Sequence, residues 1–519
     1  MVKVLTLASL KTSFRKHSTL WILLGILLAG AFFRFYELNT VPPGVHPDEA
    51  ANGLDIIRMI EHHDFRVLYD TNGPREALFF YMQAPFVLLL GGTSLALRLA
   101  PAIIGVATIG ALFLLVRIVW GTRAALVSSF LLAVLPWHIT LSRDGFRAIL
   151  TPLVTILVLY FYLRLMRDRK YRDAIWAGIL LGLGFYTYLA YRLFPLLLAF
   201  MILVGLIWYR NTFKALFKPV LLSFVVAGIV LIPLGIYGVQ HPADLVTRAG
   251  GVSVFNPHTH NPFGILFDNV GKTALMFNVE GDQNYRHNLG GYPLLDPVSG
   301  VLFLVGLVYF ISRIKKPAYL MVLAWLGVML LPEVLTSEGI PHALRAIGAI
   351  PPTIIIAGVA GTWVWTRLLQ AFPRRESAKR VVYTTVCLLA VLLIYYSYER
   401  YFVVWAHSPQ THQAYSQDTA DMARYLNSLP VEVKKAAVTD GYSKKTLDYL
   451  TWRRASYTWI DPKNAQKYVI SRGKNIIVFG LHQRPDLARF EQKYPGGKLS
   501  EFKATYNGQA DFLIYEVTR

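Results

Sequence analysis

The first 400 residues run as long apolar stretches broken by short polar ones: 19–36, 97–118, 123–141, 149–166, 174–190, 193–209, 219–238, 297–312, 318–334, 345–366 and 381–399. A helix needs about 20 mainly apolar residues to cross a bilayer, so each stretch predicts a span, about eleven in all. The first, TLWILLGILLAGAFFRFY, follows Lys3, Lys11, Arg15 and Lys16 as the core of a signal peptide would. Arg34, Tyr36 and Glu37 stand where a small-residue cleavage site belongs, which predicts an uncleaved span. From about 407 the pattern becomes that of a mixed domain. DTADMARYLNSL, SKKTLDYLTWRR and DLARFEQKY read as amphipathic helices, and KAAVTD, KNIIVFG and ADFLIYEV as short strands. The expected fold is therefore an α-helical polytopic membrane protein over 1–400, followed by a small α/β domain over 401–519, with 401–417 as the hinge.

Charge fixes the expected orientation. Of the 519 residues 54% are hydrophobic and only 16% charged, and the formal net charge is +21. That richness in apolar residues excludes disorder, and the single cysteine, Cys387, excludes a disulfide framework and a Cys-based zinc site. The loops 1–19, 117–123, 164–173, 210–218, 313–317 and 367–380 together hold 22 Lys+Arg and 3 Asp+Glu. By the positive-inside rule these face the cytoplasm. The stretch 76–92, EALFFYMQAPFVLLLGG, is short and carries Glu76, Gln83 and Pro85. If it crossed the membrane, the basic loops after it would face out, so it is expected to lie along the outer surface or to dip in and return. The N-terminus is then cytoplasmic, and 37–96, 239–296 and the tail after 400 are extracytoplasmic. Outside those loops and the tail, 13 basic and 17 acidic residues remain, and 12 of the 13 are Arg. The positive charge reports orientation in a membrane, and nucleic acid is not an expected partner.

Polar chemistry gathers at the outer ends of the spans. In NTVPPGVHPDEAANGLDIIRM, 39–59, two prolines and Gly44 stop the first helix, and His46, Pro47, Asp48 and Glu49 open the next. Two adjacent carboxylates in a first helical turn read either as a cap or, backed by an apolar bundle, as a general base towards an acceptor hydroxyl. In LSRDGFRAIL, 141–150, Arg143 and Arg147 share a face if the following helix starts there. Guanidinium forks suit phosphate oxygens, with interfacial snorkelling as the alternative and Asp144 as a catalytic partner or a counter-ion. FYTYLAYRLFP, 185–195, offers Tyr186, Tyr188, Tyr191 and Arg192, an aromatic belt or a ligand surface. NVEGDQNYRHNLGGYPLLDP is dense in Asp282, Asn284, Arg286, His287 and Asn288, groups that read sugars. LTSEGIPHALRAIGAIPP carries Glu338, His342 and Arg345, which with Arg143 and Arg147 suit a lipid phosphate. No metal is assigned, because His258 and His260 of NPHTHNP lack a nearby carboxylate. No cofactor is required, and a divalent cation is compatible with the chemistry but not indicated.

An uncleaved first span, an outer loop with P-D-E and a second outer loop with R-x-x-x-R resemble the GT-C membrane glycosyltransferases. The resemblance is to the branch of protein O-mannosyltransferases and lipid A aminoarabinose transferases. It covers about 20–200 and includes SLALRLAPAIIGVATIGALFLLVRIVWGTRAALVSSFLLAVLPWHITLSR. It implies a polyprenyl-phosphate-linked sugar as donor, entering laterally from the outer leaflet, an acceptor protein, lipid or glycan, and inversion at the anomeric carbon. It assigns Asp48 as the catalytic carboxylate, Glu49 as its companion and Arg143 as the second-loop arginine. Many relatives carry a further acidic residue about five positions after that arginine, where this chain has Ala148; Asp144 is the candidate replacement. The chemistry agrees, since a phosphate ester leaves readily once its charge is met and needs a base only for the incoming hydroxyl. The readings weighed against it are a transporter of lipid-linked glycans and a non-catalytic binding relative. A transporter predicts internal repeats and mid-span polar residues, neither of which the sequence displays.

Overall fold

The structure is a computed structural model that describes residues 18–373, 375–504 and 506–519. The basic residues Lys3, Lys11, Arg15 and Lys16 lie outside the described residues. Each of the eleven apolar stretches forms a helix. Among the described residues, eight helices are long and apolar enough to cross a membrane: Ser18–Phe35, Ser94–Val134, Arg147–Asp168, Leu189–Trp208, Lys214–Gln240, Pro317–Val334, Arg345–Ala371 and Glu376–Trp405. The 41-residue helix Ser94–Val134 contains two of the expected spans, divided at Gly121, whose φ of 80° breaks the helical path. The remaining two stretches form shorter helices, Tyr171–Gly184 and Pro297–Ile311. The stretch read as non-spanning forms the helix Leu78–Leu90. At 13 residues it extends about 20 Å, short of a hydrocarbon core of about 30 Å. The chain is a multi-pass membrane protein.

The chain divides into two compact units, and neither is one continuous stretch. One comprises Met1–Tyr36, Pro101–Ser142 and Arg147–Tyr401; the other comprises Glu37–Ala100, Arg143–Phe146 and Phe402–Arg519. The sequence reading divided the chain once, at 400, and grouped 37–96 with the spans. The structure instead groups that segment with the tail, because the helix Pro47–His62 packs on the tail helix Lys444–Thr451. Thr446 donates to the Val45 carbonyl (2.9 Å), Tyr449 to the Thr93 carbonyl (3.0 Å) and Trp452 to Glu61 (2.8 Å).

In the helical unit, a buried charge is met by backbone carbonyls of the bundle, as a medium without water demands. Arg34 of the first helix is fully buried and donates to the carbonyls of Gly30 (3.0 Å), Ala133 (2.8 Å) and Leu132 (3.2 Å). It also lies 2.7 Å from His138 Nδ1. Small residues allow close crossings: a methyl group on Gly178 would lie 2.8 Å from Val226 Cβ.

In the second unit, β1 (Leu68–Tyr69) and β2 (Arg75–Glu76) pair antiparallel, and the tail builds a five-stranded sheet in the order β4-β3-β5-β7-β6 from β3 (Lys434–Val438), β4 (Thr458–Ile460), β5 (Lys474–Gly480), β6 (Lys498–Lys503) and β7 (Ala510–Thr518). β3 pairs in parallel with β4 and β5, whereas β7 runs antiparallel to β5 and β6. Successive residues of a strand point to opposite faces. Accordingly Ile477, Phe479, Leu513 and Tyr515 pack with Phe490 on one face, and Ile476, Val478, Phe512 and Ile514 pack with Met422 and Leu447 on the other. Both faces are buried, which is why β5 and β7 read as continuous apolar runs.

Candidate functional site

Asp48 and Glu49 are adjacent in sequence and occupy different surroundings. The N-cap of the 47–62 helix is His46, whose Nδ1 accepts from the Asp48 N–H (3.1 Å). Capping is thereby done by the imidazole, and the Asp48 carboxylate takes side-chain donors instead. Asn72 Nδ2 and Tyr442 Oη both donate to its Oδ1, each at 2.7 Å. Its side chain retains 32% exposure. Glu49 is 1% exposed and lies in a two-point pair with Arg98, Nε to Oε1 at 3.0 Å and Nη2 to Oε2 at 3.1 Å. Arg98 also donates to the carbonyls of Pro42 (2.6 Å) and Gly44 (2.8 Å), so one guanidinium fastens the turn before the helix to the carboxylate within it.

The donors to Asp48 are themselves fixed. Thr71 donates to Asp55 Oδ1 (2.5 Å), and Arg75 donates to Asp55 Oδ2 and to Asn52. These anchors hold Asn72 between them. Burial pushes the Asp55 carboxyl up, against the opposing charge of Arg75. Lys445 Nζ donates to Asn72 Oδ1 (3.0 Å), which turns the amide nitrogen towards Asp48. Tyr442 is set by a turn in which Asp440 Oδ1 accepts from the N–H groups of Tyr442 (2.8 Å) and Ser443 (3.0 Å). Burial alone would raise the Asp440 carboxyl, but the hydrogen bonds from Ser443 and Tyr442 hold it below its usual value. The ring of Tyr442 meets His46 edge-on at 5.8 Å.

The segment 143–146 joins the same unit. The expectation that Arg143 and Arg147 share a helical face is corrected, because the chain turns and bends at 142–145 and helical structure resumes only at the 3-10 turn Arg147–Ile149. The turn is held by Asn52 Nδ2, which donates to the Gly145 carbonyl (2.8 Å). A Cβ on Gly145 would lie 2.5 Å from Glu49 Cγ, so the close approach requires glycine. Arg143 is buried, donates to the Val41 carbonyl (2.7 Å) and lies over the Phe402 ring at 4.9 Å. Asp144 Oδ1 accepts from Tyr415 Oη at 2.6 Å. Asp48, Glu49, Arg143, Asp144 and His46 are thus all carried by one unit. Arg147, with its guanidinium over the Tyr188 ring at 5.5 Å, belongs to the other.

The helical unit carries the remaining candidates. Arg192 donates to the Leu245 carbonyl (2.5 Å) and Arg345 to the Glu338 carbonyl (2.6 Å), while Glu338 itself is exposed. Asn284 Oδ1 accepts from the Arg286 N–H (3.0 Å). Asp282, His287 and His342 come together: His287 Nδ1 is 3.1 Å and His342 Nδ1 3.9 Å from Asp282 Oδ2. Burial pushes both imidazoles down, His342 to about 2 with His287 adding to the effect. Burial opposes ionisation of Asp282, but the hydrogen bond and charge of His287 outweigh it and hold the carboxyl below its usual value. Sequence reasoning assigned no metal. Among the described residues these three form a group of possible metal ligands whose donor atoms all lie within 4.8 Å of one another, whereas His258 and His260 are exposed.

Sequence reasoning did not single out Arg98, Asn72, Tyr442, Lys445 or Tyr415. Arg98 had a visible signal, an arginine inside the apolar run SLALRLAP, since a charge at such a place needs a partner. The others gave none, because their partners are distant in sequence.

A many-helix membrane protein with an acidic segment after the first span and an appended α/β tail is the class that this fold defines. Residues 75–237 match the family model described as dolichyl-phosphate-mannose-protein mannosyltransferase. Over 215 residues, 40% of the chain, it is 26% identical to the putative mannosyltransferase YkcB of Bacillus subtilis (strain 168); the match covers 29% of that relative's length. The fold is shared with ArnT from Cupriavidus metallidurans, solved bound to undecaprenyl phosphate, at a TM-score of 0.59 and 15% identity over 96% of this chain and 98% of that one. It is shared also with the archaeal oligosaccharyltransferase AglB from Archaeoglobus fulgidus, solved with an inhibitory peptide and a dolichol-phosphate, at 0.56 and 16% over 97% and 74%. The chain thus shares the fold of these two solved membrane proteins, and one segment of it, residues 75–237, matches the mannosyltransferase family model.

Proposed function

We propose that the protein moves a sugar from a polyprenyl-phosphate donor to an acceptor hydroxyl, with inversion at the anomeric carbon. The observation that carries this reading is the Asp48 carboxylate, partly exposed and oriented through Oδ1 by Asn72 and Tyr442, in a fold whose solved relatives hold undecaprenyl phosphate or dolichol-phosphate. In the reaction, Asp48 takes the proton of the acceptor hydroxyl as its oxygen bonds to the anomeric carbon. The bond from that carbon to the phosphate oxygen breaks, and the electron pair leaves with the lipid phosphate. A base contributes about 10² to 10⁴ in rate to such a step, and fixed cations meet the charge that develops on the leaving group. Arg143, carried by the same unit as Asp48, is the proposed cation. His342 is engaged with Asp282 and is left out of that role. Glu49 is assigned to holding the loop through Arg98 rather than to proton transfer.

The test is reconstitution of the purified chain with polyprenyl-phosphate hexoses and pentoses and an envelope extract as acceptor. Release of free polyprenyl phosphate with formation of an inverted glycoside is expected for one donor. Release from none would overturn the reading. We further propose the orientation that the 22-to-3 excess of basic residues in one set of loops supports, with the N-terminus cytoplasmic and the tail outside. In a Cys387→Ser background, a single cysteine placed at exposed Val431 should react with a membrane-impermeant maleimide in intact cells. Labelling only after lysis would reverse the orientation.

A further inference from the structure

Asp282 and His287 lie in the segment between the helices Pro262–Leu275 and Pro297–Ile311, and His342 lies between Pro317–Val334 and the 3-10 turn Arg345–Ala349. Two segments about 60 residues apart in the chain therefore meet within one unit at three potential ligands. We propose that Asp282, His287 and His342 bind one divalent cation of the zinc type, which staples these two segments together. The proposal does not rest on the role given to Asp48.

Four observations support it. The first is spacing. In a tetrahedral zinc site with bonds of about 2.0–2.1 Å, neighbouring ligand atoms stand about 3.3 Å apart, and the separations from Asp282 Oδ2 to the two Nδ1 atoms are 3.1 and 3.9 Å. Closing the longer one takes a shift of under about 1 Å, within the reach of side-chain rotation. The second is burial with convergence: Asp282 and His287 are almost fully buried, and the His287 and His342 rings lie 4.6 Å apart at 33°. The third is a supported carboxylate. Asp282 Oδ1 accepts from the Asn284 N–H (2.7 Å) and Oδ2 from the Ala343 N–H (2.8 Å), which fixes the direction of its remaining lone pairs. Outer-shell hydrogen bonds of this kind orient metal ligands. The fourth is Glu333, which is fully buried. Its Oε1 accepts from the His342 N–H (2.6 Å), and its Oε2 has no hydrogen-bond partner among the described residues. A buried carboxylate oxygen left unsatisfied calls for a proton or a nearby cation. Two imidazoles with one carboxylate select a borderline metal such as zinc, whereas magnesium and calcium take oxygen ligands.

The experiment uses the full chain in detergent, without an affinity tag and purified without chelator. Elemental analysis should find close to one zinc per chain, and a strong chelator should remove it and lower the thermal midpoint, which added Zn²⁺ restores. After exchange with Co²⁺, the visible absorption should have the intensity of a four-coordinate site. The double variant His287→Ala/His342→Ala should lose both the stoichiometric zinc and the cobalt spectrum. Asp282→Asn, which retains side-chain volume and an acceptor oxygen, should bind Zn²⁺ at least about tenfold more weakly, the lower bound for losing a ligand-level contact. Wild-type protein that takes up no stoichiometric zinc when Zn²⁺ is added overturns the proposal whatever the variants do. So does undiminished binding in the double variant.

Discussion

Asp48→Asn should abolish sugar transfer from a polyprenyl-phosphate donor while leaving the protein folded in the membrane. The amide is isosteric with the carboxylate and retains an oxygen that can accept from Asn72 and Tyr442, so the surroundings of residue 48 are preserved. Only the ability to take a proton is lost. The expected fall in kcat is at least about 10², the lower bound for a positioned general base, with donor binding little changed. Full activity in this variant would remove Asp48 from the mechanism. Tyr442→Phe provides a graded companion. Losing one hydrogen bond of about 1 kcal/mol should lower kcat about fivefold. A donor to the carboxylate favours its charged form, so removing the hydroxyl raises the pKa of the base, and the acidic limb of the pH–rate profile should move to higher pH. A phenylalanine variant with reduced activity and an unmoved acidic limb would assign Tyr442 to structure alone.

The second large effect is on stability. Arg98→Ala leaves the Glu49 carboxylate buried and unpaired and takes the donor from the carbonyls of Pro42 and Gly44. Removing one partner of a buried pair costs about 3–5 kcal/mol, so this variant should reach the membrane in lower amount and unfold at lower temperature. Arg98→Lys should not restore it, because an ammonium cannot reproduce the two-point geometry. Glu49→Gln should also destabilise, by stranding the buried guanidinium, and its loss of folded protein should occur without any substrate. A Glu49→Gln protein of wild-type stability with no activity would instead return Glu49 to catalysis. The two carboxylates of the P-D-E motif are thus separable by measurement, one through rate and the other through melting temperature.

Neighbouring residues with different roles mark the boundary of what a sequence makes legible. The apolar helices could be read because burying a backbone in lipid demands about 20 apolar residues in each span, a local and continuous requirement. β5 and β7 could be read because both of their faces are buried. β4 and β6 were missed because they are the sheet's edge strands: KLSEFK is mostly exposed and alternates charge with apolar residues weakly. The turn 142–145 was missed because four-residue spacing suits a helix that in fact begins later, beyond a glycine whose place is set by Asn52 and Glu49.

Sequence alone determined the membrane class of the protein, its apolar helices, the α/β character of its tail and the presence of an acidic pair after a proline stop. Each follows from periodicity, charge or turn chemistry within a few residues. Tertiary structure decided which member of the pair is fixed in a buried ion pair and which remains partly exposed. It did so through Arg98, 49 positions from Glu49, and Tyr442, 394 positions from Asp48. It also brought His342 to Asp282 across about 60 residues. A carboxylate's chemistry depends on the donors within about 3 Å of it, and in a folded chain those donors are set by packing rather than by nearness along the sequence.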